Sequence, residues 1–517
     1  MKKYYLMAMF ACLLAASCTK DDTELPVPTK ENTELPVPLS EKPFFSRFWI
    51  SRDCNSGISN DYYAVLENDT TVTLFCQELE SADAIVPSFE GNFASVRVKG
   101  QEQVSGVTVQ DFSAIVRYEL TDSVGNKGYY NVKMLVFNKI PRVSITTKDG
   151  VDITSKTDYT EATIEIGNCP ETGAIRSEGR VRGRGNATWE YDKKPYKIKF
   201  TEKQSPFGFP ANKDWVLLAE CCDRTLLRTA YMCEACNAAS MNYTIRYRHV
   251  DLFLNRKYLG TYVLTDQVEE ASKRVNVERD GFLIENDHLY QSEPLYFMTD
   301  SLQLPFTFKY PDADDGDIVE GDESYNYIVS LVNTLERDVL LLEKDPADKS
   351  YQSVIDVNSF AKWYLVAELT TTFDPNLFYV LHDRTSKLEM YPMWDAEWSL
   401  GLWPMNWGAS PTQEQILKAK LWAKKGYFKY LLMSPDFVKA VKAEWKKLRS
   451  NIPVIRKNVS RVAQSISMSQ RTNYYRWPGQ VGQPVNISFD TWDEEVEHIG
   501  QFFDDRVMFM DTYINSL

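Results

Sequence analysis

Between residues 43 and 139 apolar and polar residues alternate with a period of two. Thr71-Val-Thr-Leu-Phe-Cys76, Ala94-Ser-Val-Arg-Val98, Ala114-Ile-Val-Arg-Tyr-Glu-Leu120 and Tyr129-Tyr-Asn-Val-Lys-Met-Leu-Val136 each carry this pattern, which predicts strands buried on one face. Val124-Gly-Asn-Lys-Gly128 supplies a turn between the last two. Short strands at this spacing predict a small all-β sandwich over 43–139. From 140 to 517 the pattern is mixed. Strands are predicted at Arg142–Thr147, Glu161–Ile166, Tyr196–Phe200 and Asp280–Asn286, with a hairpin of Arg248–Leu254 and Tyr258–Thr265. The helical period predicts helices at Arg224–Met241, Tyr325–Leu341, Val357–Thr371 and Tyr427–Leu448. Strands and helices in this order predict an α+β domain.

The first 42 residues follow neither pattern. Lys2 and Lys3 precede a short apolar run through Leu14, which ends at Ala15-Ala-Ser-Cys18. A charged start, an apolar core and small residues before a cleavage point predict a secretory signal. The run is too short for a bilayer, which needs about 20 apolar residues. Cys18 at the cleavage point resembles a lipobox, which implies lipidation of its thiol and export. Thr19-Lys-Asp-Asp22 resembles an acidic tag for display on the outer membrane at the cell surface. Thr23-Glu-Leu-Pro-Val-Pro28 recurs at Thr33–Pro38, and its alternating prolines predict an extended tether over 19–42.

Composition narrows the function classes. A net charge of -14 on 517 residues argues against a broad nucleic-acid-binding surface. Four histidines, far apart in sequence, argue against a histidine-built metal site. Seven cysteines follow Cys18, an odd number, so at least one stays unpaired within the chain. Cys54 with Cys76 is one pairing left open. Cys233 and Cys236 share a helix face, which favours core packing over a redox pair.

Four segments carry candidate chemistry. Arg180-Val-Arg-Gly-Arg-Gly-Asn-Ala-Thr188 leads into Lys193-Lys-Pro-Tyr-Lys-Ile-Lys199. Its glycines let backbone amides approach an anion, and its basic side chains add charge; a solvated basic strand is the plainer alternative. In Gly260–Val268, Asp266 is an acid that could pair with a lysine. In Glu368–Val380, Asp374 and Asn376 stand where a helix gives way to a strand, suited to orienting a nucleophile and holding a metal, or to capping a turn. In Tyr391-Pro-Met-Trp-Asp-Ala-Glu-Trp-Ser-Leu-Gly401, an extended chain would put Asp395 and Glu397 on one side, as oxygen ligands for Mg²⁺ or Mn²⁺.

In order and spacing these segments resemble the spore-coat-protein-H (CotH) family of atypical, secreted protein kinases. The resemblance covers about 141–510. It rests on 182–199, on Asn255–Tyr262, on Phe282-Leu-Ile-Glu285, on Trp394–Gly401 and on Asn473–Trp477. It implies a kinase-like domain that moves the γ-phosphate of ATP to Ser or Thr of a protein substrate. Lys197 would meet the ATP phosphates, with Lys194 or Lys199 as alternatives and Arg182, Arg184 and Asp266 in support. Asp374 would accept the hydroxyl proton, and Asp395 would hold Mg²⁺ or Mn²⁺ with Asn376 and Glu397. Glu397 stands where the family has Asp, and Asp266 where it has Glu. A CotH fold without catalysis, serving as a surface module for glycan or protein, is the alternative. The 43–139 region resembles the Ig-like modules of surface lipoproteins.

Overall fold

The computed structural model describes residues 42–517, apart from 59–60, 69, 77–78, 80, 137–139, 256, 409 and 479–480. The predicted signal, Cys18 and nearly all of the tether (1–41) lie outside the described residues. No described helix is long and apolar enough to cross a membrane.

The alternating N-terminal region forms two sheets. One pairs Phe44–Ile50 with Tyr62–Tyr63 and Pro87–Asn92. The other has six strands, in which Thr71–Cys76 runs parallel to Lys127–Val136. Phe45, Phe48, Tyr118, Leu120 and Val132, from both sheets, meet in one core. This unit leans on the rest of the chain through aromatic groups. Phe75 stacks on Tyr258 at 5.2 Å, and Tyr62 Oη accepts a hydrogen bond from Arg142.

Seven strands then close into a barrel, from Arg142–Thr147 through Thr160–Gly167, Ile175–Gly183, Tyr196–Gln204, Asn212–Leu218 and Lys257–Asp266 to Tyr247–Leu254. All neighbours are antiparallel except the closing pair, Arg142–Thr147 with Tyr247–Leu254. Closure leaves no unpaired edge. Alternate residues (Val143, Ile164, Val181, Ile198, Trp215, Leu252 and Leu264) fill the interior. On the outer face Arg182, Lys197 and Val216 lie side by side across three strands. Val216 belongs to the larger core that the barrel shares with the remaining elements.

Those elements are a five-stranded antiparallel sheet and a helical layer. The sheet order is Tyr296–Met298, Pro305–Tyr310, Phe282–Asn286, Asn376–Leu381, Glu389–Trp394. Helices Arg228–Ala238, Val357–Leu369, Pro435–Ile466 and Trp492–Ser516 pack in the same core.

Two helices differ from expectation. The first starts at Arg228, not Arg224, because Asp223 accepts hydrogen bonds from the amides of Thr225, Leu227 and Arg228 and holds the chain in a turn. The predicted Tyr427–Leu448 helix is interrupted: Phe428–Leu431 is a short turn, and a long helix restarts at Pro435, a favoured first position. Cys233 and Cys236 are buried thiols of the core, as their spacing on the helix predicts. Cys54 is an exposed free thiol and Cys76 is buried, so the pairing left open between them is not formed.

Candidate active site

A hairpin organises the site. Helix Val357–Leu369 is capped by Asp356, whose side chain accepts from the amide of Ser359 at 2.7 Å. The chain leaves this helix through Thr371, at φ 51, reaches Asp374, and enters strand Asn376–Leu381. The partner strand Glu389–Trp394 returns antiparallel with Asn376 opposite Trp394. Asp374, just before the first strand, and Asp395, just after the second, therefore emerge at the same end of one hairpin.

Asp395 sits at φ 66 and Leu400 at φ 45. The left-handed region costs a non-glycine residue roughly 1 kcal/mol, and such residues cluster where a site fixes the backbone. Hydrogen bonds from Leu400 N to Thr370 O (2.7 Å) and Gly401 N to Thr371 Oγ1 (3.4 Å) tie the two ends of the hairpin together.

The Asp395 side chain is exposed to solvent yet ringed by protein. That surrounding mass, with Asp374 and Glu285 as like charges, pushes its carboxyl up to about 6, against the opposing pull of Arg184. Asn376 donates its side-chain amide to Glu285, which is also paired with Lys309 at 3.2 Å. Arg184 reaches the same end of the hairpin from the barrel, its guanidinium 5.4 Å from the Trp394 ring. Burial lowers Arg184 to about 10. The turn that delivers it needs its glycines: a Cβ on Gly183 would fall into the Trp189 ring, and Gly185 sits at φ 84.

The structure thus brings together Arg184, Asp374, Asn376 and Asp395. The remaining expected residues are held by other partners. Lys197 and Lys199 are on the outer barrel face, 3.2 and 3.7 Å from Asp214. Arg182 lies beside Lys197, over the ring of Tyr159. Lys194 Nζ donates to Trp189 O at 2.7 Å. Asp266 is fully buried and pairs with Arg246 and Arg274, at 2.7 and 3.3 Å, where a lysine was expected. Tyr243 donates a further hydrogen bond to Asp266.

Glu397 departs from the shared-face expectation. The left-handed turn at Asp395 breaks the extended period, so the two acids diverge. Glu397 is nearly buried, and its Oε1 accepts from the amides of Cys222 and Asp223. Burial pushes its carboxyl up to about 7, although those amides favour the charged form.

Four groups were not singled out by the sequence. Glu285 and Lys309 face each other on neighbouring strands and support Asn376. Lys425 Nζ donates to Phe373 O at 3.2 Å, and Lys425 feels the charge of Asp374. The crowding of Lys418, Lys420, Lys424 and Lys425 was a legible signal for it. Lys193 is buried, donates to Thr261 O at 2.7 Å, and is lowered by burial to about 8.

The family model described as CotH kinase protein matches residues 181–510. The chain belongs to the CotH kinase family, and membership suggests an atypical kinase. No curated protein matches the chain. Among solved structures, one from Bacteroides thetaiotaomicron, described provisionally as a glycoside hydrolase, aligns at 12% identity and TM-score 0.12. That alignment covers 26% of this chain and 47% of the other, and it carries no structural argument.

Proposed function

We propose that the chain is an extracytoplasmic kinase, lipid-anchored through Cys18, that transfers the γ-phosphoryl group of ATP to Ser or Thr of a protein. The observation that carries this reading is the hairpin that presents Asp374 and Asp395 at one end. Protein kinases present a proton-accepting Asp, then an Asn, then a metal-holding Asp in this chain order. Asp374, Asn376 and Asp395 stand in that order.

The residues at the hairpin end fit a hard divalent cation. Asp395 is a carboxylate raised by the surrounding protein and then by two neighbouring acids, and Mg²⁺ or Mn²⁺ would offset the charge of those acids. Asp395 and Asn376 would hold the ion, which supplies charge neutralisation on the phosphates. Glu397, with one oxygen committed to two amides, is left out of that set.

Asp374 then accepts the proton of the acceptor hydroxyl. Lys425 and Arg184 place positive charge beside the two acids, where charge on the transferring group must be met. Lys197, held by Asp214, is the lysine assigned to the ATP phosphates, with Lys194 and Lys199 as alternatives. The β-rich N-terminal unit is read as an Ig-like spacer.

The test is transfer of label from ATP by the chain lacking residues 1–18, with Mg²⁺ and then Mn²⁺. Label lost in both Asp374→Ala and Asp395→Ala supports the proposal. Absence of transfer together with absence of ATP binding would leave the non-catalytic surface module.

A further inference from the structure

Cys221, Cys222 and Glu397 converge on one point away from the hairpin end. Both cysteines are buried and Glu397 nearly so. One ligand atom from each, two sulfurs and a carboxylate oxygen, lie within 4.8 Å of one another. Glu397 Oε2, the oxygen not used by the amides, is 4.0 Å from Cys221 Sγ. Gly482 leaves room for the second thiol, since a Cβ there would stand 2.2 Å from Cys222 Sγ. The chain delivers these thiols through a strained residue, Glu220 at φ 49.

Charged groups surround this point. Asp223 is satisfied by Arg228 and by its turn amides. Lys193 is the cation whose charge reaches Glu220, Glu397 and Cys221, and its ammonium is bonded to Thr261 O. Glu220 and Glu397 share that ammonium with the buried Asp251. Glu220 is 7% exposed; its Oε1 accepts from Thr229, and its Oε2 has no hydrogen-bond partner. A buried polar atom left unpaired is costly, so a native chain is expected to meet it with something.

We propose that Cys221, Cys222 and Glu397 supply three donors of a Zn²⁺ site, beside the unpaired oxygen of Glu220. Two thiolates beside a carboxylate suit a borderline-soft ion and not Mg²⁺, which takes oxygen ligands. Zinc bonds of about 2.3 Å to sulfur and 2.1 Å to oxygen place tetrahedral ligands roughly 3.6 Å apart, so a closure of about 1 Å brings these three donors into range. Binding releases the two thiol protons to solvent and leaves both sulfurs as thiolates. The ion would pin the segment 220–223 to the turn after Asp395. The site stands whether or not the chain transfers phosphate.

The test titrates Co²⁺, as a spectroscopic substitute, into the metal-free chain lacking residues 1–18. A thiolate-to-cobalt charge-transfer band that saturates at one equivalent and is displaced by Zn²⁺ is expected. The band should vanish in the double variant Cys221→Ser, Cys222→Ser and persist in Cys233→Ser, whose thiol is buried in the helical core. Glu397→Gln should keep the band while weakening Co²⁺ binding at least about tenfold, the usual scale for losing a ligand-shell group. The wild-type titration involves no substitution, so misfolding of a variant leaves it intact. A folded wild type, checked by circular dichroism, that shows no band overturns the proposal, as does a band that survives in the double serine variant.

Discussion

Replacing Asp395 by Asn separates charge from shape at the hairpin end. The Asp395 carboxyl rises from 3.8 to about 6 through the surrounding protein, Asp374 and Glu285. For a dry group that rise would equal roughly 3 kcal/mol. Asp395 is exposed, and solvent screening leaves about 1 kcal/mol. Because the folded value lies above the unfolded one, the folded chain holds the proton more tightly. Ionisation therefore costs the metal-free fold stability, and that cost grows as pH rises from about 4 to about 6.

Asn carries no charge at any of these pH values, so Asp395→Asn is expected to be more stable than wild type without metal. The gain should be full above about pH 6 and gone below about pH 4. One kcal/mol in a chain of this size moves Tm by about 2 °C. Thermal melts in a chelator, across pH, measure it. Added Mg²⁺ should raise the wild-type Tm and leave the variant unmoved. A metal-free variant less stable than wild type above about pH 6 would refute the charge argument.

Four further outcomes follow from contacts already described. Asp374→Ala should lower phosphoryl transfer by about 10²–10⁴, the range for a lost general base, while the ATP-induced rise in Tm persists. Lys425→Met should lower kcat more than it raises KM, with Lys425→Arg recovering part of the loss in steady-state assays. Glu397→Asp, which restores the family residue, should destabilise the chain by about 1–3 kcal/mol in urea titrations, because the shorter side chain abandons the amides of Cys222 and Asp223. Arg506→Ala should cost roughly 3–5 kcal/mol by the same measurement, since it leaves Glu368 buried and unpaired.

Much of this architecture can be read from local pattern. Period-two alternation located four strands of the N-terminal unit, though not Phe44–Ile50 or Pro87–Asn92, and the Tyr247–Leu254 and Lys257–Asp266 hairpin. Helical period located Glu323–Leu341 and Val357–Leu369 to within two residues at either end. Barrel closure was not legible, because pairing Ile145 with Leu254 leaves no trace in the sequence near either residue. The common side expected for Asp395 and Glu397 assumed extended backbone; one left-handed residue overrides it. The arginine partners of Asp266 come from Arg246 and Arg274, one before and one after it in sequence, and only tertiary packing selects them over lysine. Lys425 and Glu285 reach the site through the register of distant segments, so their types were visible and their company was not.

Arg506 lies in the second half of the last helix, Trp492–Ser516. It donates to the carbonyls of Glu368, Leu417 and Ala419 and to the Glu368 carboxylate. Glu368 in turn receives the amides of Leu421, Trp422 and Ala423, just ahead of Lys425, and itself stands shortly before the loop that carries Asp374. A chain still being synthesised lacks this guanidinium until residue 506 is made. The loops that flank the acids at the hairpin end therefore cannot take their final positions on a nascent or truncated chain. The 492–516 helix is thus a precondition for the geometry of the hairpin end, and a protease that nicks it off would dismantle that geometry without touching a single residue there.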